Sequence, residues 1–99
     1  MNSEQQYQNI LGASCFLQAL SNPKRLMILC LLIQEGEMTV GEMNKKIDLS
    51  ASALSQHLAK MRHENLVTYR RDSQTLYYRI HNPDVIKLIS ALKDIFCPE

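Results

Sequence analysis

The sequence predicts a mainly α fold carrying one β-hairpin, and three observations predict it. Apolar residues recur at helical spacing in several separate segments. Two Asn-Pro pairs, Asn22-Pro23 and Asn82-Pro83, each place a capping residue before a proline at the first helical position. Between residues 66 and 80 the pattern changes to β-branched and aromatic runs on either side of a polar tetrad.

The first helix is read over residues 5–20, with Tyr7, Ile10, Leu11, Leu17 and Leu20 at helical spacing. Asn22-Pro23 opens the second, PKRLMILCLLIQ, whose Leu26–Ile33 stretch is apolar on every side and so reads as buried all round. Gly36 ends it. Thr39 and Glu42 have the spacing of a capping box and open a short third helix through Ile47. Asp48-Leu49 makes a turn, and Ser50 caps the fourth helix, ASALSQHLAKMRHEN. Two short helices joined by so tight a turn form a helix-turn-helix. Residues 66–70 and 75–80 then flank Arg71-Asp72-Ser73-Gln74 as a hairpin, the wing. A fifth helix follows Asn82-Pro83 to Phe96 with a broad apolar stripe. The fold class is a winged helix-turn-helix of four helices, a hairpin and a fifth helix, in one domain spanning residues 1–99.

A chain of 99 residues buries a small fraction of its surface, yet 45% of it is hydrophobic. Pairing with a second copy would cover the excess. Residues 1–6 lack a signal-peptide pattern, and no apolar run approaches the ~20 residues of a bilayer span, so a cytoplasmic protein without membrane contact is expected. The formal net charge is only +1, but its distribution is uneven. Lys60, Arg62, Arg70, Arg71 and Arg79 stand against Glu64 and Asp72 between Lys60 and His81, while the remainder holds six basic and eight acidic residues. Positive charge therefore gathers around the fourth helix and the wing.

On the fourth helix Leu54, His57, Leu58 and Met61 share one side. Ser52, Gln56, Ala59 and His63 share the other, with Ser55 and Lys60 at the margins. Small hydroxyls and an amide near a helix N-terminus suit entry into a major groove, where glutamine can pair with the N6/N7 edge of adenine. The candidate DNA-binding residues are Ser50, Ser52, Ser55, Gln56, His57, Lys60, Arg62, Arg70, Arg71 and Gln74. Lys60 and Arg62 are phosphate clamps by charge type, and Arg70, Arg71 and Gln74 would reach phosphates or the adjacent minor groove. Within this set His57 falls on the inward side, where a packed, hydrogen-bonded histidine is the plainer reading. His63 and His81 read as solvent or phosphate neighbours. The bland alternative for the whole helix is an amphipathic surface helix with a polar face.

The segments ALSNPKRLMILCLL, LSASALSQHLAKMRHENLV and YRRDSQTLYYRI resemble the ArsR/SmtB family of winged-helix repressors over nearly the whole chain. The resemblance implies a homodimer joined through its first and fifth helices, an inverted-repeat DNA operator, and release of that operator on binding an inducer. Metal-sensing members of the family carry Cys-x-Cys at the start of the third helix, where this chain has Thr39 and Gly41, or Asp/His pairs on the fifth, where it has only Asp84 and Asp94. Neither constellation is present, so no metal and no other cofactor is expected.

LMILCLL and LKDIFCP are similar to the two-cysteine HlyU/BigR/SqrR/YgaV branch of that family, with Cys30 and Cys97 at the matching places. The resemblance implies that this pair senses persulfide, polysulfide and related reactive sulfur, forming a bridge that lowers DNA affinity. A buried Cys30 beside a more accessible Cys97 would suit such chemistry. Thiols held too far apart for a disulfide, whose Cβ atoms must lie within about 4.5 Å, would be joined only through inserted sulfur. Without the resemblance, Cys30 reads as a small core hydrophobe and Cys97 as incidental. Cys15 reads as a packed residue of the first helix. The alternatives are a general disulfide switch, a metal-responsive repressor, and a winged helix that binds protein instead of DNA. An enzyme is not expected: there is no Gly-rich phosphate loop, paired acid/base carboxylates or nucleophile-His array.

Overall fold

The computed structural model of the chain describes residues 2–98. In order these form α1 (Ser3–Leu20), α2 (Pro23–Glu35), β1 (Met38–Thr39), α3 (Val40–Lys46), α4 (Ala51–His63), β2 (Val67–Asp72), β3 (Thr75–Ile80) and α5 (Pro83–Phe96). The fold is the winged helix-turn-helix.

Every helix starts on a side-chain oxygen that accepts from otherwise unpaired backbone N–H groups. Asn22 Oδ1 accepts from Lys24 and Arg25 at 2.9 and 3.1 Å, and Asn82 Oδ1 accepts from Asp84 at 2.9 Å. Thr39 and Glu42 form the reciprocal capping box, at 3.1 and 2.8 Å. Ser50 Oγ accepts from Ala53 at 3.0 Å. Asn2 caps α1, which therefore begins at Ser3, two residues before the start expected from the sequence.

The fourth helix stops at His63, two residues before the end expected from its sequence. Asn65 takes a left-handed φ of 63°, its N–H donates to Arg62, and the N–H of Leu66 donates back to Met61. This is a Schellman ending, with asparagine where glycine is commoner. It turns the chain directly into β2.

The sheet has three antiparallel strands in the order β1-β3-β2, with Met38 opposite Tyr78 and Tyr78 opposite Tyr69. Strand β1 was not legible in the sequence because two residues carry no period. The hairpin ladder also runs to Asp72–Thr75, so the turn is only Ser73-Gln74. Ser73 accommodates it with φ 57°, the left-handed geometry that tight hairpin turns require.

The core is built from one side of each helix and one face of the sheet: Ile28, Leu29 and Leu32 of α2, Met43 of α3, Leu54, Leu58 and Met61 of α4, Val67 and Tyr78 of the sheet, and Val85 and Ile89 of α5. The second helix is not buried all round. Met27 is 45% exposed and Cys30 is also exposed, because the single chain covers only the Arg25–Ile28–Leu29–Leu32 side. Helix α1 meets α2 at 89° and buries only Leu20. Its projection gives a Cα radius of gyration of 15.0 Å, against about 13 Å for a compact domain of this length. Cys15, expected to be packed, is consequently exposed.

Among the described residues one charged side chain is buried. Arg25, 9% exposed, donates through Nη1 to the carbonyl of Ala19 at 2.9 Å and to Glu64 Oε1 at 3.3 Å. It ties the end of α1 and the start of α2 to the residue that ends α4. Replacing it would leave a part-buried carbonyl and the Glu64 carboxylate without this donor. Arg25→Ala is expected to lower stability by about 1–3 kcal/mol. Urea unfolding would show this as a lower midpoint at unchanged slope, and an unchanged midpoint would mean that the tie carries no stability.

Candidate nucleic-acid interface and thiol groove

Helices α3 and α4 form the helix-turn-helix, its turn held by Asn44, whose Nδ2 donates to the carbonyl of Leu49 at 2.7 Å. With Leu54, Leu58 and Met61 buried, the helical period leaves Ser52, Ser55, Gln56, Ala59 and Lys60 exposed. Ser50 is also exposed, although its oxygen already accepts the capping bond. Ser55 meets Gln74 of the wing turn across an open groove of about 480 Å³, bounded also by Thr39, Val40, Gly41 and Thr75. The start of the reading helix and the tip of the wing thus frame one surface.

The basic candidates divide by what they touch. Arg71 is exposed near the wing tip. Arg70 is held at the base of the wing, where Glu37 accepts from its Nε and Nη2 at 2.8 and 2.9 Å and its guanidinium lies 4.2 Å from the centre of the Tyr77 ring. Arg62 stacks over Tyr69 at 4.5 Å, and Tyr69 packs at a tilt against Tyr78. His57 is half-buried and makes no side-chain hydrogen bond among the described residues, so the hydrogen-bonded core histidine expected of it is not formed. His63 and His81 are both exposed and share an open, polar cavity of about 540 Å³ with Arg62, Asn65 and Thr68. That meeting is not legible in the sequence, since β3 delivers His81 from eighteen residues away.

Cys30 and Cys97 line the same groove. It lies between α2 and α5, has a volume of about 350 Å³, and is otherwise walled by Leu26, Ile89, Leu92, Lys93 and Phe96. Cys30 was expected to be buried; it is exposed, on the open wall of this groove, because α5 crosses α2 without covering it. Partial burial pushes its thiol above the ordinary value; Lys93 pulls it back and Cys97 adds to the rise. Among the described residues no three His, Cys, Asp or Glu side chains cluster as a metal site would require. Among the described residues no single helix is long and apolar enough to cross a membrane.

The geometry defines a winged helix-turn-helix regulator. A profile described as "Bacterial regulatory protein, arsR family" matches residues 22–69. The chain is 54% identical to the nodulation protein NolR of Rhizobium meliloti, over 85% of this chain and 68% of that protein. It is 46% identical to the HTH-type transcriptional regulator YgaV of Escherichia coli, over 87% of each. The crystal structure of the transcriptional regulator HlyU from Vibrio vulnificus superposes with a TM-score of 0.88 at 43% identity, covering 98% of this chain and 100% of that one. The chain belongs to the ArsR family of bacterial transcriptional regulators.

The Glu37–Arg70 contact generates a pH dependence. Hydrogen bonding to Arg70 lowers the Glu37 pKa, so its ionised form favours the folded wing. That contribution is complete above the ordinary carboxylate range and is lost as pH falls through the depressed folded value. Carboxyl-carbon NMR should place the Glu37 titration below the ordinary range in the parent and move it upward in Arg70→Gln. Titration at the same pH in both would show that the contact does not persist in solution.

Proposed function

We propose that the protein is a homodimeric, sequence-specific DNA-binding repressor whose hold on DNA is controlled by Cys30 and Cys97. The observation that carries this reading is the groove shared by the two thiols, in a domain that also presents the exposed polar face of α4 beside its wing. Ser52, Ser55 and Gln56 would face base edges, with Arg71 and Gln74 on the adjoining backbone or minor groove. Lys60 would contact phosphate. Arg70, engaged by Glu37, would chiefly hold the wing.

The dimer would be built from α1 and α5. Their exposed apolar side chains include Tyr7 (59%), Ile10 (55%), Leu17 (54%), Ile95 (66%) and Phe96 (77%), more than an isolated domain of this size ordinarily leaves in water. Two copies would present two reading helices, which suits an inverted-repeat operator.

The inducer would be a polysulfide or persulfide. The Cys30 thiolate attacks a sulfane sulfur, the S–S bond breaks, and a shorter sulfide leaves with the electron pair. Where at least two added sulfurs remain on Cys30, the Cys97 thiolate then attacks the added sulfur bonded to Cys30 Sγ, and the terminal sulfur leaves as hydrosulfide. Two thiols are oxidised, sulfane sulfur is reduced, and a sulfur-bridged pair pins α5 to α2.

Fluorescence-anisotropy titration of operator DNA tests both halves. Gln56→Ala should cost about 1–3 kcal/mol on the specific site, whereas Arg71→Ala should weaken all sequences and reduce the salt slope by about one. Absence of salt-dependent binding in the parent would remove the DNA reading. Cys30→Ser and Cys97→Ser should each bind like the parent yet keep DNA under polysulfide. Release from either serine variant would contradict the two-thiol switch.

A further inference from the structure

The thiol groove carries one charged side chain. Lys93 lines it together with Cys30 and Cys97, and also lines an adjoining cavity of about 270 Å³ bounded by Cys30, Ile33, Gln34, Ile89 and Ser90. Among the described residues no carboxylate borders either space. Helical geometry brings the Lys93 side chain to the groove wall: Lys93 precedes Cys97 by one turn, and the N–H of Cys97 donates to the Lys93 carbonyl at 2.7 Å. Cys30 borders the same groove from α2. The apolar stem of a lysine can lie along such a wall while its ammonium stays in water.

The chemistry at this place needs a cation. A thiolate is disfavoured beside Leu26, Ile89, Leu92 and Phe96, and a second thiolate or an anionic reagent adds like-charge repulsion. The surroundings act on Cys30 in those senses, partial burial and Cys97 raising its pKa and Lys93 lowering it.

We propose that Lys93 is the positioning residue of the groove: its ammonium holds anionic sulfur, both the Cys30 thiolate and an incoming anionic sulfane donor, between α2 and α5. This rests on the thiol-switch reading for the identity of the donor and adds a basis for selectivity. Anionic polysulfide is drawn to the groove and neutral peroxide is not, independently of how far apart the two sulfurs stand.

Two alkylating reagents that differ in charge test the electrostatics without any sulfur donor. The reduced full-length protein is treated with anionic iodoacetate or neutral iodoacetamide from about pH 6.5 to about pH 9.5, spanning the thiol range. In both, the thiolate attacks the methylene carbon and iodide leaves. Peptide-resolved mass spectrometry reads Cys30, with exposed Cys15 as internal reference. Lys93→Gln should lower the iodoacetate-to-iodoacetamide rate ratio at Cys30 about threefold and move its rate profile to higher pH, an effect of the size expected for one nearby charge in part-solvated surroundings. Lys93→Arg should restore both, and Cys15 should not respond. An unchanged ratio and profile in Lys93→Gln would overturn the proposal. The switch itself fails by a different result, release of DNA from Cys30→Ser under polysulfide.

Discussion

The arrangement depends on how α2 is shared. Ile28, Leu29 and Leu32 close the core from one side of this helix, and the small domain leaves much of its other side uncovered. Leu26 and Cys30 are therefore left to α5, which crosses α2 incompletely and leaves a groove instead of a packed seam. The same shortage of cover leaves α1 projecting and the end of α5 apolar and open. A domain that cannot finish its own surface is suited to a partner copy, and the unfinished seam between α2 and α5 is where the two thiols sit.

Polar contacts join this region to the reading surface. Arg25 lies on α2 five residues before Cys30 and reaches Glu64 at the end of α4. A change in how α5 sits on α2 would act on a rigid helix already fastened to the reading helix. At the other edge, Glu37 between α2 and β1 fastens Arg70 of the wing. Both tethers run from α2 or its exit, so the reading helix and the wing are referenced to one element. Neither tether needs to break for the account to hold. The groove has only to favour one seating of α5 when bridged.

Much of this was legible in the sequence, for identifiable reasons. The Asn-Pro pairs, the Thr39–Glu42 box and Ser50 are local devices whose partners lie within three residues, so their meaning does not depend on the rest of the fold. The alternation at Leu54, Leu58 and Met61 against Ser52, Gln56 and Ala59 likewise follows from helical period alone. What escaped needed tertiary information. Strand β1 exists only because β3 is beside it, Glu37 acquires meaning only when Arg70 arrives from β2, and the all-apolar run of α2 says nothing of which side lacks cover. Lys93 is one of several lysines in the sequence, and only the crossing of α5 over α2 distinguishes it.

The most direct measurement is intact and peptide-level mass spectrometry of the reduced protein after a polysulfide donor and, separately, after hydrogen peroxide. A Cys30–Cys97 bridge containing added sulfur, formed with the donor and not with peroxide, is the predicted result. A plain disulfide formed by both reagents, or no linkage between these two residues, would contradict the sulfur-selective switch.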